Sequence, residues 1–216
     1  MDPDRILFLD AEALVIDKPA GLPVDPPRAG GLSLDNHLAS LTFGFRRWPS
    51  AVHRLDRDTS GCLLLSRNPK AHARFQQAFE AGTVLKRYLA VLDGVPSAEN
   101  GTIDLPLAKV SSAERGWRMT GDPRGKAART DWRVLREHGG RALVEFRPAT
   151  GRTHQIRVHA LEGLGIAVTG DPVYGAAHKA GMMLHAAALT VPRTGKADVA
   201  AEAPWPPRFR EAGFDG

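Results

Sequence analysis

The sequence predicts an α+β fold, with a mixed, largely antiparallel β-sheet flanked by helices. Two observations carry this expectation. Short apolar runs bounded by Gly, Pro, Asn and Asp outnumber the helical patterns. Many of these runs also follow one another directly, with only a short connection between them. The 216 residues suit one large domain better than two small ones. A chain of that length buries a core without covalent staples.

Each element has a local reason. Residues 6–9 and 13–17 read as two strands joined across Asp10-Ala11-Glu12. Lys18-Pro19-Ala20-Gly21-Leu22-Pro23 ends the second, because Pro and Gly interrupt regular structure. Residues 34–41 read as a short helix and 46–50 as loop. Cys62-Leu63-Leu64-Leu65, within 61–66, is a continuous apolar run and so a buried strand. Asn68 is a helix N-cap and Pro69 the first helical residue. That helix should reach 81 and stop at Gly82, with Ala73, Phe75, Ala78 and Phe79 as its apolar stripe. Residues 85–92 form a strand turned by Asp93-Gly94. Further strands are expected at 101–105, 117–119, 128–135 and 141–146. Residues 153–161 read as helix, closed by Gly163 and Gly165, and 182–191 as a last long strand. The tail, with Pro204, Pro206 and Pro207, is expected to be irregular.

Composition excludes several classes. The one cysteine, Cys62, can form neither an intramolecular disulfide nor a Cys-based zinc finger. No apolar stretch approaches the ~20 residues of a transmembrane helix. The acidic start, Met1-Asp2-Pro3-Asp4-Arg5, lacks the pattern of a signal peptide. A cytoplasmic protein with no membrane association is expected. The net charge is +5, but it is unevenly spread. Residues 109–157 hold twelve Lys/Arg and five Asp/Glu, a net of +7, so the rest sums to −2. A concentrated basic segment suggests a polyanionic partner, bound less tightly as salt rises. It is expected to form one phosphate-facing wall.

The chemistry concentrates in His53-Arg54-Leu55-Asp56-Arg57-Asp58-Thr59-Ser60-Gly61. Two carboxylates, two guanidiniums, an imidazole and two hydroxyls lie directly before a buried strand, which would hold them while the loop stays accessible. An aspartyl-phosphate phosphatase motif is rejected. Its apolar strand should precede Asp56, and Thr59 falls one place early. A metal site from His53, Asp56 and Asp58 conflicts with Arg54 and Arg57 beside them. A structural network of ion pairs and caps explains the same composition. Gly121-Asp122-Pro123-Arg124-Gly125-Lys126-Ala127 is not a P-loop. It is one residue short between its glycines and has Ala where Ser or Thr should bind Mg²⁺.

This segment resembles the signature of the RluA-type RNA pseudouridine synthases. Other stretches resemble further motifs of that family, in its order. They are Asp17-Lys18-Pro19-Ala20-Gly21-Leu22, Lys86-Arg87-Tyr88-Leu89-Ala90, Gly151-Arg152-Thr153-His154-Gln155-Ile156-Arg157-Val158-His159, Gly170-Asp171-Pro172-Val173-Tyr174-Gly175 and Leu184-His185-Ala186. The resemblance as a whole runs over about residues 7–207. The resemblance implies one catalytic domain over 1–216, without the N-terminal S4 domain of many relatives.

The implied reaction breaks the bond from uridine N1 to ribose, rotates the base and rejoins it through C5, with no cofactor and no metal. Asp56 is then the catalytic aspartate, attacking the sugar carbon or removing a nearby proton. Arg157 keeps that carboxylate ionised. Tyr88 stacks on the base and takes part in proton transfer. Arg54 helps fill the place of a flipped-out uridine. Arg152 and His154 join it in binding substrate, and Leu184 forms an apolar wall near the base. Arg57 adds general phosphate attraction, while Asp58 and Thr59 organise the loop. Where the family often has an arginine four residues before the histidine of its Leu-His-Ala motif, this chain has Gly181, which removes one implied phosphate contact. The implied partner is structured RNA, an rRNA or tRNA stem-loop, with no obligate protein partner and a monomer as the default. The alternatives are a catalytically inactive RNA-binding protein of the same fold and a hydrolase using Asp56 and Asp58.

Overall fold

The computed structural model describes residues 3–27, 29–112, 114 and 116–215. Among them the chain forms, in order, β1 (Ile6–Leu9), β2 (Ala13–Lys18), a 3₁₀ helix (Leu34–Leu41), β3 (Ser50–Ala51), β4 (Ser60–Ser66), α1 (Pro69–Glu80), β5 (Leu85–Leu92), β6 (Asn100–Asp104), β7 (Leu107–Ser112), β8 (Gly116–Gly121), β9 (Arg129–His138), β10 (Arg141–Pro148), α2 (Gln155–Val158), a π turn (His159–Gly163), β11 (Leu184–Val191), β12 (Val199–Glu202) and α3 (Pro207–Glu211). The class is α+β and the pairing largely antiparallel, as the sequence predicts. Two units divide the chain. The first runs to Lys86 and includes Ala186–Pro204; the second is Arg87–His185 with the segment from Trp205.

In the first unit the strands lie in the order β1-β2-β4-β11, with β3 on β4 and β12 on β11. Leu14, Ile16, Leu63 and Leu65 on one face, and Ala13, Val15, Cys62 and Leu64 on the other, are all buried. Burial on both faces is why 61–66 reads as a continuous apolar run rather than an alternating one. Asn68 Oδ1 caps α1 by accepting from Ala71 N at 2.9 Å, with Pro69 at the first helical position. The stripe differs from expectation by one residue. Ala71 and Phe75 are buried and Ala78 and Phe79 pack against them, while Ala73 is exposed. Positions 71, 75, 78 and 79 follow the helical repeat, and 73 falls two residues off it.

In the second unit the sheet order is β5-β10-β9-β6, and β7 and β8 form a separate hairpin. One sheet face carries Ala90, Leu92, Ala142, Val144, Phe146 and Trp132 against Ile156 and Ala160 of α2 and the π turn. Three segments depart from expectation. β7 is mostly exposed and has no alternation to betray it. The tail holds β12 and α3, where Pro207 opens a helix, a place proline suits because its missing N–H is not needed there. The 46–50 loop contributes Ser50 to β3. Among the described residues no helix is long and apolar enough to cross a membrane.

Candidate active site

The 53–61 loop of the first unit is held at both ends. At its start, Leu64 N donates to His53 Nε2 at 3.0 Å. The imidazole stacks on Phe79, with centroids 4.7 Å apart. Burial, reinforced by the charge of Lys86, pushes the His53 pKa down to about 3. His53 is therefore a neutral acceptor that anchors the loop. Its folded pKa lies below the ordinary 6.5, so the unfolded chain takes up the proton first. Stability is full above that value and falls as pH drops from it toward the folded pKa, by at most about 1.4 kcal/mol per pH unit. His53→Gln keeps an acceptor for Leu64 N and does not titrate. It is expected to flatten the decline between about pH 6.5 and about pH 5 in urea melts; an unchanged slope would refute the assignment.

At its end, Gly61 has φ +107°, and a Cβ there would collide with the Ala186 carbonyl. Only glycine lets the loop enter β4 against that backbone. The middle is pinned by Lys18, which is fully buried. Its Nζ donates to the carbonyls of Pro19 (2.8 Å), Leu22 (2.8 Å) and Arg57 (3.0 Å). Gly21 N also donates to Arg57 O at 2.9 Å, and Thr59 N to Asp56 O at 3.1 Å. Leu55 points inward while Arg54 on one side is exposed and Asp56 on the other half-buried. Arg54 pairs with Asp25 at 3.0 Å, an exposed partner that the sequence reading did not name. Arg57 grips Asp58 through two 3.0 Å bonds, so both organise the loop. Burial pushes the Cys62 thiol up to about 12, which leaves it unreactive.

The second unit places Arg157 on α2 with its side chain 5% exposed. Its Nε and Nη2 donate to Asp171 Oδ2 and Oδ1 at 2.6 and 2.8 Å. Asp171 Oδ1 also accepts from Val173 N and Tyr174 N. Burial pushes the Asp171 carboxyl up, but Arg157 and the two backbone donors outweigh it and hold the pKa low. The Arg157 guanidinium lies over the Tyr174 ring at 5.0 Å. Tyr174 Oη accepts from Met119 N and sits 2.9 Å from His154 Nδ1. His154, at φ +54°, is in turn stacked by Trp117. His154 thus supports Arg157 through Tyr174. Gln155 locks the neighbouring backbone, accepting from Arg152 N and donating to Arg129 O. Arg152 is exposed and bonds Ala127 O through Nε at 2.9 Å.

Tyr88 and Leu184 share one apolar cluster with Phe146 and with Ile156, the residue before Arg157. The basic segment does not form the one wall expected of it. Arg157 is buried on Asp171, while Arg133 and Arg147 turn to Glu145. Lys18, Asp171 and Tyr174 were quoted in motifs without roles. A lysine closing a buried strand was the available sign for the first. No sequence signal marked the others, whose partners Arg157 and His154 only the fold brings to them.

The chain matches the model of the RNA pseudouridylate synthase family over residues 12–162. It is 59% identical to an uncharacterized RNA pseudouridine synthase of Zymomonas mobilis, over 97% of each chain. It is 39% identical to the ribosomal large subunit pseudouridine synthase D of the same organism, over 82% of this chain and 58% of that one. Among solved structures, Human RNA Pseudouridylate Synthase Domain Containing 4 superposes with a TM-score of 0.80 at 26% identity, over 97% of this chain and 91% of the other. Human RNA Pseudouridylate Synthase Domain Containing 1 gives 0.79 at 31%, over 94% and 86%.

Proposed function

Because the chain belongs to the RNA pseudouridylate synthase family and is an RNA pseudouridine synthase, an isomerase, we propose that it converts specific uridines of structured rRNA or tRNA, with Asp56 as its catalytic aspartate. One observation carries this reading. The 53–61 loop is pinned through Lys18, Gly21, His53 and Gly61, so the Asp56 carboxylate is presented from a rigid backbone. Catalytic groups need that rigidity, since a misplacement of ~1 Å costs orders of magnitude in rate.

Tyr88 and Arg157 are the other catalytic groups in this reading. Tyr88 offers a ring and a hydroxyl beside an apolar cluster. Arg157 offers a guanidinium held flat and oriented by Asp171 and Tyr174. Arg54, Arg152, His154 and Leu184 serve substrate binding, His154 through the chain of contacts that steadies Arg157. The reaction is an isomerisation: the N1–C1′ bond breaks, a C5–C1′ bond forms, the C5 hydrogen leaves and N1 gains a proton. The enzyme acts as a cytoplasmic monomer without an obligate protein partner.

The test uses RNA tritiated at uridine C5. Pseudouridine formation sends that tritium to water. The protein is expected to release it from cellular rRNA or tRNA with no metal or nucleotide added. Release from neither RNA would overturn the reading. RNA affinity is expected to fall linearly with salt on a log–log plot, and a flat line would remove the electrostatic part of it.

A further inference from the structure

Glu145 is buried at 3% side-chain exposure on a sheet strand of the second unit, yet several arginines converge on it. Arg147 Nε reaches Oε1 at 2.8 Å and Arg133 Nε reaches the same oxygen at 3.0 Å. Arg87 Nη1 lies 4.0 Å from Oε2. The register fixes which face they share. Phe146 pairs with both Tyr88 and Trp132, while Glu145 pairs with Arg133 and Arg147 with Asp131. Side chains alternate along a strand, so the arginines stand on the face opposite Tyr88.

Arg133, Arg147 and Glu145 line an open cleft of about 320 Å³ together with residues that include Asn100, Thr102 and Asp131, and Arg87 stands beside Glu145 outside that lining. Asp131 is engaged by Thr102 Oγ1 at 2.6 Å and Arg129 at 3.8 Å. Arg87, Arg133 and Arg147 thus share the single carboxylate of Glu145, a local excess of positive charge beside a cleft whose wall also carries Asp131. One arginine would neutralise Glu145. Ordering more costs side-chain entropy and sets like charges together. Arg133 and Arg147 hold their Nε atoms on the carboxylate, yet their side chains stay 56% and 60% exposed, so part of each guanidinium fork is left to solvent. That fork matches a phosphate.

We propose that this cleft binds a backbone phosphate of the substrate RNA, on the sheet face turned away from Tyr88. The proposal rests on the pseudouridine synthase reading and sharpens its substrate: an RNA with structure flanking the target, long enough to engage both faces of the second unit's sheet. Glu145 is the positioning residue that holds the arginines.

The test compares wild type with Arg133→Gln/Arg147→Gln, in which each glutamine can still donate to Glu145. The probe is a fluorescein-labelled RNA hairpin with a long stem, read by anisotropy over a salt series. The double variant is expected to lower the log–log salt slope by about one, the change for one lost phosphate contact. A charge-matched control, Lys70→Ala/Arg210→Ala, on exposed residues outside the cleft, is expected to change it far less. Equal slopes for wild type and double variant, or equal losses in double variant and control, overturn the proposal. Should the double variant fail to fold, the Arg133 and Arg147 Nε–Hε resonances of the wild type answer instead. They are expected to shift as the hairpin is added. Immobility at saturation overturns the proposal, as does a shift with inorganic phosphate at concentrations no higher than the RNA needs. Tritium release by the wild type is scored separately: turnover with unchanged slopes refutes this site alone, and no turnover refutes the enzyme reading.

Discussion

Asp56→Asn is expected to lose tritium release by at least about 10²- to 10⁴-fold, the range over which a positioned acid–base group acts, while the protein stays folded. The first half of that expectation follows from chemistry. Asparagine matches the shape of aspartate but can neither attack the ribose nor accept a proton at neutral pH. The second half follows from how the loop is held. Its anchors are the Arg57 carbonyl, the Asp56 carbonyl, the His53 ring and the Gly61 approach to Ala186. None of these uses the Asp56 carboxylate. An isosteric change that leaves these anchors in place is expected to keep the loop folded. Activity and a thermal melt are therefore measured on the same preparation. Retained release would remove Asp56 from the chemistry. A collapsed melting temperature would instead make the aspartate a structural member of the loop.

The parts of this molecule legible in the sequence are those whose burial is encoded locally. Cys62-Leu63-Leu64-Leu65 is apolar on both sides because β4 is covered on both faces, and Asn68-Pro69 starts α1 through its own cap. β7 was not legible because its side chains mostly face solvent. The same limit applied to the site. Asp56 stands out in a dense polar run. Asp171 and Tyr174 act through Arg157 and His154, which lie fourteen and twenty residues away in sequence. No spacing rule connects partners that only the fold brings together. Lys18 shows a third case. Its charge suggests a surface residue, but full burial with three carbonyl acceptors makes it a staple, because an ammonium has three N–H groups to satisfy.

Asp171→Asn is expected to cost about 3–5 kcal/mol of stability, the usual penalty for breaking a buried ion pair from one side. Against a total of ~5–15 kcal/mol this is a large fraction, and it corresponds to a fall in melting temperature of roughly 6–20 °C for a chain of this size. The reason is asymmetric. The amide oxygen of the substituted side chain would still accept from Val173 N and Tyr174 N, the two donors that Asp171 Oδ1 now serves, so the local turn survives. What is lost is the charge facing Arg157, whose side chain is 5% exposed and which cannot shed its proton. The buried guanidinium loses the Asp171 carboxylate, which offset part of its desolvation. Linkage fixes the pH range. Since the Asp171 pKa is held below the ordinary 3.8, the contribution of the pair is fully present above that value and is lost as pH falls through the lower, folded pKa. At neutral pH the whole penalty of the variant should show. A second substitution isolates the cause. In Arg157→Met/Asp171→Asn the guanidinium that Asp171 served is gone as well, so the double variant is expected to melt above Asp171→Asn alone, while tritium release stays lost because Arg157 is absent. If Asp171→Asn melts within about 2 °C of wild type, a shift worth no more than ~1 kcal/mol in a chain of this size, the pair does not hold Arg157 in place. A double variant no more stable than the single one would show that the lost charge is not what the fold misses.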